Sequence, residues 1–357
     1  MHFGTIKINM NMKNTVKLCL LISIFSVISC KTQQGKFEFV NPGTGSRVLK
    51  GDKIHLKLNF PNPAIDSVLY AIDGNVFERK ADTATVLFDS NEIGYGNRRL
   101  SATVYAAGKE DIAYSEVLIV PPAPKPYAFE VLNTYKHDST AFTQGLYYDQ
   151  GTLYESTGMN GRSSVRKVEL STGKVLMKKD LEEKYFGEGM TVVGNKVYML
   201  TWENNMGFVF DKQNFNQLST FDYQQSKVGW GLTYDGSRFI KSDGTNKLYF
   251  LDAATLKETG FVQVFDDNGP VDSINELEYI DGKVYANLYH ADKDIVIIID
   301  PTTGVVEGKI NFVGLYDGKR ASTGNEMNGI AYKSDSKTLL LTGKDWTKLY
   351  EVRLKDR

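Results

Sequence analysis

An all-β architecture is what this sequence predicts, a ring of five repeats behind a smaller sandwich, and three observations carry that expectation. The first is a recurring hairpin: a polar or aromatic residue, usually followed by Gly, opens an alternating strand, a tight turn and a second alternating strand. Its openings are Gln144, Glu188, Trp230, Asn275 and Asn328, separated by 44, 42, 45 and 53 residues. The second is that further strand pairs with turn residues run between the hairpins, such as VRKVELSTGKVLMKKDL and IVIIIDPTTGVVEGKINF. A period in the forties with four strands per unit is the spacing of β-propeller blades. The third is composition: 20 Tyr, 19 Phe and 32 Gly among 357 residues favour strands joined by many turns. The predicted fold is a five-bladed β-propeller preceded by a small immunoglobulin-like β-sandwich.

Taken in chain order, residues 1–30 read as a targeting segment. Lys13 and Lys17 precede the apolar run LCLLISIFSVI, which is too short for a membrane span. The run ends at Val27-Ile28-Ser29-Cys30, which resembles the bacterial lipobox, in which the Cys is acylated and becomes the first mature residue. Cys30 is therefore expected to carry lipid and to hold the protein in the bacterial cell envelope. The folded part would lie in water on the periplasmic or outer face. The alternative is a plain secretory signal with an incidental Cys. Cys19 leaves with the signal, so no thiol is available for a disulfide or for catalysis. Initiation at Met10 or Met12 would serve the signal equally well.

Residues 31–120 alternate as short strands (KFEFV, IHLKLNF, SVLYAID, ATVLF, RRLSATVYAA, SEVLIV) between turn signals such as NPGTG, PNP and GYGN. Six or seven strands in this length suggest the sandwich, although no Cys–Trp–Cys framework marks a true immunoglobulin domain. Its polar residues form no constellation, and a spacer or accessory binding role is the plain reading. Residues 121–126, PPAPKP, stiffen into an extended linker. Residues 127–357 form the ring. The last repeat ends with KLYEVRLKDR, and YAFEVLNTYKH (127–137) is expected to supply its missing outer strand and remove the free sheet edge.

In such a ring the innermost strands line one axis, so the five openings converge from five directions. The residue behind each is nearly constant while the opening residue varies, which marks a site, although channel plugs are also polar. The ends of the second strands add Glu155, Trp202, Asp243, Tyr289 and Lys344; Glu155 and Asp243 could equally stabilise turns. The converging equipment is one carboxylate (Glu188), amides (Gln144, Asn275, Asn328), a lysine (Lys344) and aromatic walls (Phe142, Trp202, Trp230, Tyr289). It suits acid/base proton transfer on a small ligand bearing an amide or amine. Aromatic walls raise the pKa of an unpaired Glu, and a nearby Lys opposes that.

Other chemistries lack their signatures. His2, His55, His137 and His290 are scattered, and neither HExxH nor paired Cys occurs, so no metal and no cofactor is expected. The stretch DDNGPVDSINE from Asp266 misses the EF-hand spacing and reads as a polar loop. A formal charge of −1 gives no footprint for nucleic acid.

At these residues the chain resembles a family. AFTQGLYYDQGTLYESTGMNGRSSVRKVELSTGKV, FGEGMT, WGLTYDG, INELEYIDGKVYANLY and NGIAY…LLLTGKDWTKLYEV are similar to glutaminyl-peptide cyclotransferases of the plant and bacterial type, over about residues 128–354. The resemblance implies a five-bladed propeller acting on peptides or proteins with N-terminal glutamine, and a monomer is expected. These are converted to pyroglutamate with loss of ammonia and without metal. It implies that Glu188 of FGEG is the acid/base, and that Lys344 of TGK shares the catalysis. Phe142 and Gln144 of FTQGL, Trp202, Trp230 and Asn275 of INELEY match the family's pocket residues. The family usually has a WANVW-like block where this chain reads Tyr285-Ala286-Asn287-Leu288-Tyr289, and Thr347 stands where Pro is common. Tyr289 keeps an aromatic wall and adds a hydroxyl, so a wetter pocket is expected. Two rivals stay open: a lipid-anchored propeller that only binds peptide or glycan ends in its channel, and a metal-dependent propeller hydrolase or lactonase.

Overall fold

A computed structural model describes residues 37–356 apart from 62, 290–292 and 321–323. The targeting segment and Cys30 lie outside the described residues. Among the described residues the regular structure is nearly all strand, as the composition predicts.

Eight strands come first: β1 (Glu38–Asn41), β2 (Ser46–Leu49), β3 (Lys53–Asn59), β4 (Ser67–Ile72), β5 (Asn75–Lys80), β6 (Val86–Asp89), β7 (Gly96–Ala106) and β8 (Lys109–Val120). The chain divides into two compact units. One holds the chain up to Asn41 with Leu56–Val86 and Arg99–Ser115; the other holds Pro42–His55, Leu87–Arg98 and everything from Glu116. In the first unit β4 pairs antiparallel with β5 and β7. Its alternating residues Val68, Tyr70, Leu100, Ala102 and Val104 turn inward to a buried core. That is the period-2 pattern of a sheet with one covered face. In the second unit β2 runs parallel to the end of β8, Ser46 opposite Val117 through Leu49 opposite Val120.

The remaining strands begin with β9 (Lys125–Lys136), so the last two linker residues already belong to a strand. The repeats follow. The first set is β10 (Thr143–Asp149), β11 (Thr152–Thr157), β12 (Ser164–Glu169) and β13 (Lys174–Asp180). The second is β14 (Gly187–Val193), β15 (Lys196–Thr201), β16 (Met206–Asp211) and β17 (Gln217–Asp222). The third is β18 (Leu232–Tyr234), β19 (Arg238–Ser242), β20 (Lys247–Asp252) and β21 (Glu258–Gln263). A two-residue ladder, β22 (Phe265–Asp266) with β23 (Gly269–Pro270), forms the polar loop read from DDNGPVDSINE. Then come β24 (Ile274–Ile280), β25 (Lys283–Leu288), β26 (Ile295–Ile299) and β27 (Val306–Asn311), and finally β28 (Met327–Lys333), β29 (Thr338–Gly343) and β30 (Lys348–Asp356).

The first three sets are separate four-stranded sheets, each pairing in chain order. The rest merge into one eight-stranded sheet, β24-β25-β26-β27-β9-β30-β29-β28. Its joint is β9, which pairs antiparallel with β30 from Lys136–Lys348 to Tyr127–Asp356 and runs parallel to β27 over Lys125–Tyr127. The first strands neighbour one another in turn: β10 with β14, β14 with β18, β18 with β24, β24 with β28, and β28 with β10. Apolar clusters fill the gaps between successive sets. Tyr154 and Val165 pack on Met190, Phe208 and Phe210, and Leu146 and Leu153 meet Leu340 and Leu349.

Two local features explain the repeating motif. At Gln144, Glu188, Asn275 and Asn328 the hairpin register slips by a β-bulge, between Thr143 and Gly145, Gly187 and Met190, Ile274 and Leu277, and Met327 and Ile330. A bulge leaves a residue out of the ladder and re-aims its side chain. The Gly behind the opening residue lets neighbouring first strands touch. A Cβ on Gly189 would stand 2.5 Å from the Trp230 carbonyl oxygen, and one on Gly231 would stand 2.1 Å from that of Asn275. Only the fourth repeat breaks the rule, with Glu276. Its buried carboxylate accepts the N–H groups of Ile330 (2.8 Å) and Leu146 (3.3 Å), bridging the strands that Gly would let touch.

Candidate active site

The bulge in β14 turns Glu188 into a cavity of about 250 Å³, where its side chain is buried. Among the described residues its hydrogen-bond partner is an amide: Gln144 Nε2 donates to Glu188 Oε1 at 3.2 Å. Gln144 is oriented in turn, because Asn328 Nδ2 donates to Gln144 Oε1 at 2.6 Å and to the Thr143 carbonyl at 3.1 Å. With its oxygen occupied, Gln144 presents its NH₂ to the carboxyl group. Asn275, in the bulge of β24, has its main-chain oxygen held by Ser242 Oγ at 2.6 Å. Its buried Oδ1 has no hydrogen-bond partner among the described residues, a polar atom left over for a ligand.

Lys344 follows β29, where its N–H bonds the Glu326 carbonyl at 3.0 Å. Its Nζ lies over the rings of Tyr289 (4.5 Å) and Phe142 (5.1 Å) and 3.5 Å from Glu326 Oε2. The walls are edge-on aromatic contacts. Phe142 meets Phe186 at 6.1 Å, Phe186 meets Trp202 at 5.5 Å, and Trp230 meets Tyr289 at 5.6 Å. Glycine makes room for two of these rings: a Cβ on Gly158 would reach 2.4 Å from Phe186, and one on Gly244 would reach 2.7 Å from Trp230. Trp202 (38 % exposed) and Tyr289 (41 %) stand at the mouth.

Burial sets the electrostatics. It pushes Glu188 well above the usual carboxylate range, and the Lys344 ammonium pulls the other way. The same burial pushes Lys344 below a free lysine, opposed by Glu326 and then Glu188. One carboxyl group is thus poised to hold a proton while an ammonium stands across the cavity.

All eight residues expected at the site (Phe142, Gln144, Glu188, Trp202, Trp230, Asn275, Tyr289 and Lys344) line this cavity, with Met159 and Phe186. The other second-strand candidates do not. Glu155 is buried against His137 Nε2 at 3.0 Å and Thr143 Oγ1 at 2.7 Å, tying the first set to the end of β9. Asp243 accepts the N–H and hydroxyl of Thr245 and stabilises a turn. Asn328 acts from behind Gln144. Phe186 and Met159 escaped the sequence reading. The first is inside the FGEG block, and the second sits at φ +80° just after YESTG, a strained position that strand patterning does not reveal.

The sequence profile of the glutamine cyclotransferase family matches residues 100–354. The chain belongs to that family. The match takes in every repeat and all ten cavity residues. Glutaminyl-peptide cyclotransferase of Arabidopsis thaliana is 42 % identical over 230 residues, which are 63 % of this chain and 71 % of that protein. The crystal structure of Myxococcus xanthus glutaminyl cyclase superposes with a TM-score of 0.60 at 33 % identity, covering 65 % of this chain and 98 % of that one. Membership brings the family's all-β fold, and the cavity described above falls within the shared region.

Proposed function

We propose that this enzyme converts the N-terminal glutamine of peptides and proteins to pyroglutamate with release of ammonia. The observation that carries the reading is Glu188, a buried carboxyl group amid aromatic rings whose hydrogen-bond partner among the described residues is an amide donor. The reaction is an intramolecular acyl transfer. The substrate's α-amine attacks its own side-chain carboxamide carbon, forming the lactam N–C bond; the C–NH₂ bond breaks and ammonia leaves. Glu188 takes a proton from the attacking nitrogen and hands one to the departing nitrogen, so the enzyme ends as it began. Such a group contributes about 10²- to 10⁴-fold. Asn275 and Lys344 are suited to the oxyanion and polar groups of the bound glutamine, and one oxyanion donor is worth about 3–4 kcal/mol. The aromatic walls fold the side chain back on its amine and exclude water, converting binding into ring-closing geometry.

The test is to incubate a Gln-initiated peptide with the protein and follow ammonia release with the matching mass loss. Turnover is expected; none at any pH would reject the reading. In the same assay Trp202→Ala is expected to raise KM about tenfold or more while kcat changes little, since the ring binds ground and transition states alike. An unchanged KM would put Trp202 outside the binding surface.

The finer architecture belongs to this reading. The strand sets are taken as five propeller blades completed by β9, the strands of residues 31–120 as an immunoglobulin-like sandwich, and 121–126 as the connection to the catalytic domain. The protein is proposed to act as a monomer. We also propose that the chain is lipid-anchored to the cell envelope through Cys30, on the lipobox Val27-Ile28-Ser29-Cys30. A labelled fatty acid is expected to be incorporated in wild type and not in Cys30→Ser; equal labelling of both would remove that residue from the proposal.

A further inference from the structure

We infer that Glu326 is the resident counter-ion of Lys344, and that it thereby leaves Glu188 free to take and return the reaction's proton. This rests on the cyclisation reading above, but it concerns a residue outside the set of eight. Glu326 ends the loop that leads into β28, and its side chain is buried. Three contacts place it. Its carbonyl accepts the Lys344 N–H at 3.0 Å. Its Oε1 accepts the Gly324 N–H at 3.2 Å. Its Oε2, buried and with no hydrogen-bond partner among the described residues, lies 3.5 Å from Lys344 Nζ.

The two segments are stitched together so that this approach is built in. Asn325 Nδ2 donates to the Lys344 carbonyl, and Trp346 Nε1 donates to the Asn325 carbonyl at 2.9 Å. Tyr316 stacks on Trp346 at 4.3 Å and 7°. The backbone on both sides is therefore held, and the pair cannot drift apart without breaking it.

Charge accounting then assigns the roles. Lys344 is faced by two carboxyl groups, Glu326 and Glu188, which also act on the Tyr289 hydroxyl, and its Nζ lies over the Tyr289 ring. Glu326 is within ion-pair reach and Glu188 is not. The Tyr223 hydroxyl, which Glu188 reaches electrostatically, is fully buried and engaged with the main chain of Thr201. Near Glu326, Asp294 is paired with Arg320 while also accepting the Met327 N–H, and Asp345 is paired with Arg162. No other cation among these groups is left to balance Glu326 or Glu188. A buried ammonium requires one buried carboxylate, and breaking such a pair leaves an uncompensated charge. Had Glu188 been that partner, it would be held ionised as a weak base. With Glu326 in the role, Lys344 keeps its charge for the oxyanion and Glu188 stays out of an ion pair, its carboxyl raised above the usual carboxylate range by burial.

The full-length protein tests this through the lysine side-chain NMR titration of Lys344, its resonance identified by its loss in Lys344→Arg. Glu326→Gln is expected to lower the Lys344 pKa by about one unit or more, and Glu188→Gln by less. In turnover, Glu326→Gln is expected to lower kcat and kcat/KM together and to move the acid limb of the pH profile down by about one unit, as Glu188 becomes the counter-ion. Glu326→Asp is expected to restore part of both. A larger Lys344 shift in Glu188→Gln than in Glu326→Gln would overturn the assignment, as would an unmoved acid limb. If Glu326→Gln does not fold, the Glu188→Gln titration decides alone: a Lys344 shift of about a unit or more rejects Glu326 as counter-ion, and a smaller one supports it. If wild type shows no turnover, the cyclisation reading fails, and the titrations still decide the pairing.

Discussion

Glu188→Gln is expected to reduce turnover by about 10²- to 10⁴-fold while leaving the thermal midpoint nearly unchanged. The substitution keeps the shape, and a Gln oxygen can still accept from Gln144 Nε2, which in wild type is 3.2 Å from Glu188 Oε1. What it removes is the group that gains and loses the proton. Kinetics with a Gln-initiated peptide, set beside a melting curve, checks both halves. Equal rates in wild type and variant would end the catalytic role, and an unfolded variant would make Glu188 structural. The pH profile of wild type carries the same argument. The base form is the carboxylate, and burial raises its pKa, so activity falls with acid nearer neutrality than an exposed Glu would give. Lys344 is displaced downward, so the alkaline fall comes earlier than for a free lysine. The bell is narrowed from both sides.

Gly231→Ala is expected to damage stability and activity together. Its methyl group would lie 2.1 Å from the Asn275 carbonyl oxygen and 2.8 Å from Leu277 Cγ. The first obstacle is backbone, which cannot rotate away. Ser242 stitches the same spot, its hydroxyl accepting the Gly231 N–H at 2.7 Å and donating to the Asn275 carbonyl. Strands β18 and β24 must part, at about 1–3 kcal/mol for an overpacked core. Asn275 moves with its strand, and a shift of about 1 Å at a reacting centre costs about 10²-fold in rate. Denaturation and peptide kinetics on the same preparation check the pair of effects. Gly260→Ala, in β21 with nothing within 4 Å of the added carbon, is expected to leave both near wild type. If Gly231→Ala behaves the same way, the close strand contact has been overvalued.

The openings of the five repeats were legible because inner strands impose a regular spacing and because Gly behind them is a packing requirement visible as a letter. The cavity residues on those openings followed, as did β9 pairing with β30. The bulges were not legible, since a register slip at Glu188 or Asn275 changes pairing without disturbing the alternation of apolar residues. Strand β5, NVFERK, was missed because it is largely exposed and carries no inward stripe. The merging of the last two sets through Lys125–Tyr127 was missed because Lys125 and Pro126 read as linker. Glu155 and Asp243 occupied plausible positions, and only the folded structure separates an acid buried against His137 or one closing a turn from one facing a ligand. Glu326 gave no signal, because its role comes from a lysine eighteen residues later.

The pairing of β9 with β30 has a consequence for how this protein comes into being. Lys125 and Asp356, joined at 2.6 Å, are 231 residues apart in the chain. As the polypeptide emerges from the ribosome, the early strand must wait, with an unsatisfied edge, until its mate has been made. Long-range pairing of this kind is slow and leaves sticky intermediates. Until β30 has been made this edge stays open, and the meeting of the two strands decides whether the sheet closes on itself or sticks to another copy.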